Sequence, residues 1–422
     1  MREILECLGK GYQWYGIRRP EYRNDQAIPF LVNPQPFYLS SDEAKEVERI
    51  GRDISDFICA ADELYHTEGQ VKTLLDRGKP ENLQGRQARY LFVRPDILIT
   101  RNGFTVCEIE TAPFGLALAE LLNRAYRVGN FDTLVPEGVL SAFIKNNTPT
   151  EGTIIYSAYT SSYAGQMKYL AEQVFSTDRR HWKAEEVGLA ATEDRFFYRA
   201  FYQDEYLRDL FVNNIVGVLL ERDESAIIPS FTPHMEEKAL LALVWDKRWE
   251  DFFRNRLGAA TFNHLRQVVP PTWIVGEEEF FAPGLPEGIQ STQALAFLPR
   301  SKRQFVLKRS GFGAGSSWSE GVVFLQEKTR NRVEAILKVA RKDTSCLYVV
   351  QEFRRYEERP LTFEGYDHAS GGMSARIRLT PYFSLVRGTE GQLVAIKATG
   401  CGNTNYVHAT TASINMAVAQ YD

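Results

Sequence analysis

Three carboxylates and one arginine stand on two neighbouring apolar segments of the chain. Arg94 and Asp96 belong to the first segment, and Glu108 and Glu110 belong to the second. Both segments are rich in Ile, Leu, Val and Phe, and Asn102-Gly103 lies between them, which is typical of two short strands joined in a hairpin. Alternate residues of a strand share a face, so the members of each pair point the same way.

The length of the hairpin loop decides whether the four side chains meet. A two-residue loop at Asn102-Gly103 pairs Asp96 with Ile109 and turns it away from Glu108. A three-residue loop, Arg101 to Gly103 with a left-handed glycine that forms a bulge, pairs Thr100 with Phe104. That second register pairs Asp96 with Glu108. The hairpin alone leaves both registers open.

The three-residue register predicts a metal site. Facing residues of the hairpin then lie roughly 5 Å apart. Each like-charge pair costs about 3 kcal/mol at an effective dielectric constant of about 20, unless a cation neutralises it. One arginine does not offset three carboxylates, and Mg²⁺ prefers carboxylate oxygens together with substrate phosphates. The metal candidates are Asp96, Glu108 and Glu110, and the alternative is an ordinary solvated face of a hairpin.

Composition limits the classes of partner. The chain has 422 residues, 25% of them charged, and a net charge of −4 without an arginine-rich run, which argues against nucleic acid. It has no apolar run of membrane length and no signal-peptide pattern. Five scattered cysteines predict neither a disulfide framework nor a structural zinc site, and six scattered histidines predict packing or surface roles. A cytoplasmic protein that binds neither nucleic acid nor membranes is expected.

Hydrophobic patterns divide the chain into three predicted regions. Residues 1–150 hold a loop-rich lead-in, a helix at about 41–65 that starts with capping-box spacing, and the hairpin. Residues 151–232 begin with strand, polar loop and helix, the start of an α/β unit. Residues 233–422 begin with one long helix, predicted from Met235 to Leu257, and continue with several strands. The expected fold class is α/β with additional α+β elements.

A glycine-rich stretch follows the predicted strand Phe305–Lys308. Glycines allow a backbone to lie against phosphates, and a lysine adds a point charge. No Gly-Lys-Ser/Thr closes the stretch as in a Walker A loop, and a strand follows where a dinucleotide fingerprint requires a helix. A hairpin folded over a nucleotide is predicted, and the alternative is a mobile surface loop. The candidate phosphate-binding residues are Lys308, Ser310, Gly311, Gly313, Gly315 and Ser316.

Two later strands complete the set of candidates. An apolar strand ends in Gln351-Glu352, whose groups could meet an adenine edge. Arg376 and Arg378 share one face of the next strand. Paired arginines suit phosphate or carboxylate binding, although a solvated face is the commoner explanation for such a pair.

In this order, the segments resemble the ATP-grasp superfamily, specifically its circularly permuted branch typified by glutathionylspermidine synthase. In that branch the metal-binding strands precede the lysine and the glycine loop. The resemblance spans about residues 90 to 355 and implies an ATP-grasp fold with a Rossmann-like preATP-grasp region, ATP and Mg²⁺. The matching segments are Arg94-x-Asp96, Glu108-x-Glu110, Glu237-Lys238 with the apolar run after it, Pro270-Pro-Thr272, Val306-Leu-Lys308 and Val350-Gln351-Glu352.

The resemblance implies roles for the acidic and basic candidates. Asp96, Glu108 and Glu110 would hold magnesium, where the family usually has asparagine at the third position. Arg94 would stabilise the transferring phosphoryl group. Because of this resemblance, the three-residue register is the one we expect.

The nucleotide roles follow from the same resemblance. Lys308 would bind ATP phosphates, and Gln351 and Glu352 would sit at the adenine hinge. The family's first lysine has no match, because Lys302 is too close to the loop in sequence and Lys238 too far.

The implied reaction is ATP-dependent carboxylate–amine ligation. A carboxylate would attack the γ-phosphate, an amine would capture the acyl phosphate, and an amide, ADP and phosphate would result. Small-molecule carboxylate and amine substrates are the expected partners, and homo-oligomerisation stays open. One alternative is a small-molecule kinase in which Arg376 and Arg378 bind an acidic acceptor. The other is a nucleotide-binding module without catalysis.

Overall fold

In the residues that the structure describes, three β-sheets with helices packed against them form an α/β structure. The computed structural model describes residues 2–15, 30–175, 181–183, 196–221, 226–277, 289–313, 315–316, 321–365, 370–402, 404–407 and 413–421. Within these ranges, no helix combines the length and the hydropathy that crossing a membrane requires.

The strands and helices have the following bounds. The strands are β1 Leu31–Val32, β2 Phe37–Ser40, β3 Phe92–Thr100, β4 Gly103–Glu110, β5 Gly152–Tyr156, β6 His181–Lys183, β7 Phe196–Ala200, β8 Ile227–Ile228, β9 Thr272–Ile274, β10 Phe305–Arg309, β11 Val322–Phe324, β12 Tyr348–Glu352, β13 Glu358–Glu364, β14 Ser370–Ser384, β15 Leu393–Cys401 and β16 Ile414–Tyr421. The helices are α1 Arg2–Tyr15, α2 Ser41–Thr67, α3 Gly69–Leu75, α4 Leu116–Val128, α5 Val139–Asn147, α6 Ala164–Val174, α7 Leu210–Leu220, α8 Leu240–Leu243, α9 Glu250–Leu257, α10 Ala259–Val268 and α11 Arg330–Lys342.

The large sheet has the order β13-β1-β16-β15-β14-β3-β4, with β2 paired to β16. Strand β14 is long enough to pair with β13 through its first half and with β3 through its second half. The sheet therefore joins the hairpin β3–β4 to strands that come almost 300 residues later, and it places the hairpin at one edge.

Two smaller sheets accompany the large one. The second sheet, β11-β10-β12-β9, is antiparallel throughout. The parallel sheet, β6-β5-β7-β8, has only parallel pairs, which need crossover connections. Helix α6 follows β5 and packs against it, as the strand–loop–helix pattern predicted.

Helix α2 begins with the predicted capping box. The Ser40 side chain accepts a hydrogen bond from the Glu43 backbone, and the Glu43 carboxylate accepts one from the Ser40 backbone. The apolar stripe of the helix, which includes Ile50, Ile54 and Phe57, is fully buried, and the helix packs on β3, β14 and β16.

The long helix predicted from Met235 to Leu257 is wrong. A 3₁₀ helix at Pro233–Glu236, the short α8 and then α9 replace it. Glu237 is extended between the first two, and the Asp246 side chain accepts the backbone hydrogen bond of Arg248 where α8 has ended. Tertiary contacts of the Glu237 carboxylate, described below, offset the local preference for helix.

Candidate functional site

The register of the hairpin brings the acidic side chains together. Arg94 faces Glu110 and Asp96 faces Glu108, as the three-residue register predicted. The predicted loop is wrong, however, because Thr100 pairs with Gly103 rather than with Phe104. The Thr100 hydroxyl donates to the Gly103 carbonyl (2.8 Å) and closes a tighter turn.

The extra residue of the hairpin is Cys107. Val106 pairs with Ile97 and Glu108 with Asp96, so Cys107 has no partner across the ladder and forms the bulge. Its carbonyl accepts a hydrogen bond from Lys308 Nζ at 2.6 Å. Burial raises the pKa of its thiol to about 12. The bulge therefore corrects the register at the acids and links the hairpin to the second sheet.

Asp96 lies between two arginines. Arg94 Nε is 3.1 Å from Asp96 Oδ1, and Arg378 Nη1 is 2.9 Å from Asp96 Oδ2. Arg94 also contacts Glu110 Oε1 at 2.6 Å. The expectation of one arginine against three carboxylates was wrong, because tertiary contacts bring in Arg378 and, as shown next, Lys238.

Glu108 has a lysine partner that sequence distance had excluded. Lys238 Nζ lies 3.0 Å from Glu108 Oε1 and donates to the Ser316 carbonyl at 2.8 Å. Burial alone would raise the pKa of Glu108, but Lys238 and Lys308 hold it below its usual value. Lys238 is thus a site residue that the sequence argument missed, although Glu237-Lys238 was among the matching segments.

Glu110 differs electrostatically from its neighbours. Burial raises its pKa to about 7, Arg94 opposes that shift, and Asp96 and Glu108 add to it. Glu110 is therefore less fully ionised at neutral pH than Glu108, and a nearby cation would restore its ionisation.

Lys308 connects the acids to the second sheet. Its Nζ donates to Gln351 Oε1 at 2.9 Å, and Gln351 Nε2 donates to the Thr272 hydroxyl at 3.0 Å. Three strands of the second sheet thereby hold the lysine beside Cys107 and the acidic face of the hairpin.

The start of the glycine-rich stretch faces a buried ion pair. Glu237 Oε1 lies 2.6 Å from Lys79 Nζ, and both side chains are buried. The Ser310 hydroxyl donates to Glu237 and accepts from the Ala239 backbone at 2.9 Å. Gly311 passes close to the same carboxylate. Residues 317–320 of the stretch lie outside the described residues.

Arg376 contacts a different part of the molecule from Arg378. It donates to the Thr404 carbonyl and to Asn405 Oδ1 (2.9 Å), and it lies 3.4 Å from Glu358. Its guanidinium also lies over the Tyr356 ring. The two arginines share a strand face, but only Arg378 contacts an acid of the hairpin.

A cleft lies between the hairpin side of the large sheet and the second sheet. Predicted site residues that line it are Asp96, Glu108, Lys308, Gln351, Glu352 and Arg378. Those that do not are Arg94, Glu110, Ser310, Gly311, Gly313, Gly315, Ser316 and Arg376. The apolar lining includes Leu98, Val306, Val322, Phe324, Phe353 and Val407.

Comparisons with known proteins find similarity at the level of structure. No family model and no curated protein matches the sequence. A glutathione synthetase-like effector, GSS30 from Globodera pallida in its apo form, has a TM-score of 0.54 and 11% identity, covering 100% of this chain and 96% of its own. A protein provisionally named gamma-glutamylcysteine synthetase from Methylobacillus flagellatus has a TM-score of 0.40 and 9% identity, covering 90% and 89%. The first comparison confirms the predicted class: the chain has a mixed α/β fold of the ATP-grasp type.

Proposed function

We propose that the chain is an ATP-dependent carboxylate–amine ligase that forms an amide or peptide bond through an acyl phosphate and releases ADP and phosphate. One observation carries the proposal. A single cleft has two carboxylates of the hairpin at one end, Lys308 beside them, and apolar side chains of the second sheet along its wall.

The carboxylates at and beside the acidic end of the cleft have the donor chemistry that suits Mg²⁺, and an ion would have to draw them closer, since their oxygens do not all lie within 4.8 Å of one another in the described residues. The Asp96, Glu108 and Glu110 carboxylates belong to one hairpin face and offer the oxygen donors that Mg²⁺ prefers. The donor set departs from the family only in that Glu110 replaces asparagine. When bound, Mg²⁺ would neutralise charge on the transferring phosphoryl group.

Four cationic side chains of the chain itself would act on the phosphates. Lys308 donates to Cys107 and Gln351, and Lys238 donates to Glu108 and Ser316. In the substrate complex, both lysines would exchange these bonds for bonds to phosphate oxygens. Arg94 and Arg378 hold Asp96 in place and lie where negative charge develops.

The apolar wall of the cleft suits a purine ring. Val306, Val322 and Phe324 would contact the faces of the ring. Glu352 lies at the end of β12, where its polar groups would meet the adenine edge. The carboxylate and amine substrates would be small molecules that share this cleft with the nucleotide. The fold shared with a glutathione synthetase-like effector supports amino-acid or peptide substrates.

The test is ADP release from Mg²⁺-ATP with a panel of carboxylates and amines. Release that requires one member of each class is expected. Glu108→Gln should lower turnover by at least about a thousandfold, because it removes a charge on which transition-state stabilisation depends, while the protein stays folded. Glu48→Gln, at a surface position of α2, serves as the control and should leave turnover unchanged.

Other outcomes distinguish the alternatives. ADP release with an acceptor alone, and without any amine, would show a small-molecule kinase. Nucleotide binding that is independent of magnesium, without turnover on any acceptor, would show a binding module. Full turnover by Glu108→Gln would refute the metal assignment.

A further inference from the structure

A second group of metal-ligand side chains lies on helix α2 and the segment that leads to Lys238. Asp62 and His66 are one turn apart on α2, and His234 lies in the 3₁₀ helix Pro233–Glu236. None of the three lines the cleft. In the part of the chain that the structure describes, this is the one His/Cys/Asp/Glu group whose ligand atoms all lie within 4.8 Å of one another.

The distances within the group match those around a single ion. His234 Nε2 is 2.8 Å and His66 Nε2 is 3.5 Å from Asp62 Oδ1. Ligand atoms about 2.0–2.1 Å from a zinc ion stand about 2.9 Å apart in octahedral and about 3.4 Å apart in tetrahedral geometry. The two distances to Asp62 are close to these values, and the three ligand atoms all lie within 4.8 Å of one another, so a single ion can be shared by all three side chains.

Two ring nitrogens of the group, His66 Nε2 and His234 Nδ1, are buried without a hydrogen-bond partner among the described residues. The separation of His66 Nε2 from Asp62 exceeds a normal hydrogen bond. His234 is almost fully buried. Its ring stacks on Tyr65, with centroids 3.6 Å apart and planes 4° from parallel, which holds Nε2 toward Asp62.

His264 of α10 shows how a histidine binds carboxylates of α2 without a metal ion. One of its ring nitrogens bonds to Asp53 and the other bonds to Glu46 at 2.8 Å, so both nitrogens have partners. These carboxylates lie on opposite sides of the ring, where no single ion can reach both. The Asp62 group differs, because its carboxylate lies next to two imidazoles.

We propose that Asp62, His66 and His234 form a binding site for a divalent transition-metal ion of the zinc class. Imidazole ligands favour Zn²⁺, Ni²⁺ or Co²⁺ over Mg²⁺, which separates this site chemically from the all-oxygen set of the cleft. Asp62 and His66 are 21% and 22% exposed, so the group lies close to the surface of the protein. The ion would fasten α2 to the segment that carries Glu237 and Lys238.

The experiment uses the full chain, freed of metal by a chelator and titrated with Co²⁺ in excess Mg²⁺. One equivalent should bind, with visible absorption bands of imidazole-coordinated cobalt, and Zn²⁺ should displace it. Binding should also raise the melting temperature, since the ion binds the folded state. Absence of these bands at stoichiometric cobalt would overturn the proposal.

Variants assign the ligands without depending on the buried histidine. His66→Ala and Asp62→Ala change partly exposed residues, and each should weaken Co²⁺ binding by at least roughly 100-fold, since even outer partners of metal ligands contribute 10–100-fold. His264→Gln and Glu108→Gln should keep wild-type cobalt affinity. Unchanged affinity in His66→Ala would place the ion elsewhere and refute the site.

Discussion

Gly311 shows how one residue positions the glycine-rich stretch. A Cβ added there would lie 2.0 Å from Glu237 Oε1, and its φ of +52° is a conformation that side chains rarely adopt. The carboxylate cannot move aside cheaply, because Lys79 and Ser310 hold it. Glycine at this position therefore allows the backbone to pack against Glu237. Its effect on a bound nucleotide would be indirect.

Gly311→Ala should lower ATP affinity by about tenfold or more, since about 1.4 kcal/mol corresponds to a factor of ten and the left-handed backbone alone costs an alanine about 1–2 kcal/mol. Calorimetric titration with Mg²⁺-ATP measures the effect. Gly313→Ala is the matched control, because its Cβ would have 3.6 Å to the nearest atom. Equal losses in both variants would show that general flexibility, and not the Glu237 contact, matters.

At the scale of elements, the bulge in β4 decides which face the acids occupy. If Cys107 took part in a regular ladder, it would pair with Asp96, and the side chains of Glu108 and Glu110 would point to the other face. The bulge also frees the Cys107 carbonyl for Lys308. The backbone at Cys107 matters more here than its thiol.

Deletion of Cys107 should lower magnesium-dependent turnover, because Lys308 loses the carbonyl that it contacts. Mn²⁺ binding should be retained, because Glu108 then pairs with Asp96 in a regular ladder. Cys107→Ser should retain both, since it keeps the backbone and a side-chain donor toward the Asp96 carbonyl. Manganese titration followed by electron paramagnetic resonance, together with ADP release, tests the pair. A deletion variant that loses Mn²⁺ binding would contradict the register of the acids.

The contact between α2 and α10 predicts a pH-dependent stability. Burial alone would lower the pKa of His264, but hydrogen bonds with Asp53 and Glu46 raise it above its usual value. The folded state then binds the proton more tightly than the unfolded state, so the stabilisation is full below about pH 6.5 and is lost as pH rises through the folded pKa.

His264→Gln should accordingly cost most stability at pH 6, roughly 1–3 kcal/mol, and less at pH 9. Urea unfolding at the two pH values measures the difference. A loss that is the same at both would mean that packing, rather than the charged imidazole, connects the two helices.

At the scale of the whole molecule, buried polar contacts join segments that are far apart in sequence. Lys79 follows helix α3, whereas its partner Glu237 lies beside the glycine-rich stretch. Lys308 and Lys238 likewise reach across to the hairpin. The sheets on the two sides of the cleft are therefore connected by charged side chains as well as by apolar packing.

Lys79→Met should destabilise the chain by about 3–5 kcal/mol, because it leaves the buried Glu237 carboxylate without its counter-ion. The double variant Lys79→Met/Glu237→Gln should recover part of that loss, since no unpaired charge remains. Urea unfolding of the two variants and the wild type completes the comparison. A double variant that is less stable than Lys79→Met would show that the Ser310 contacts of Glu237 outweigh the ion pair.

Local physics explains what could be predicted from the sequence. The capping box of α2, the hairpin and the α/β class all depend on residues within a few positions of one another, where turn chemistry and strand or helix period act directly, whereas the register at Asp96 was expected only through the family resemblance. The resemblance to ATP-grasp proteins then supplied the overall order of the segments, and the comparison with known structures confirms the α/β fold class.

Tertiary structure alone decided the composition of the site. The position of the bulge, the pairing of Lys238 with Glu108, and the meeting of Asp62 with His234, 172 residues away, arise from how sheets and helices pack. Such contacts leave no period in the sequence, since either partner by itself has the pattern of an ordinary surface or capping residue. By itself the sequence determined which side chains share a strand face, and packing determined which charges those side chains meet.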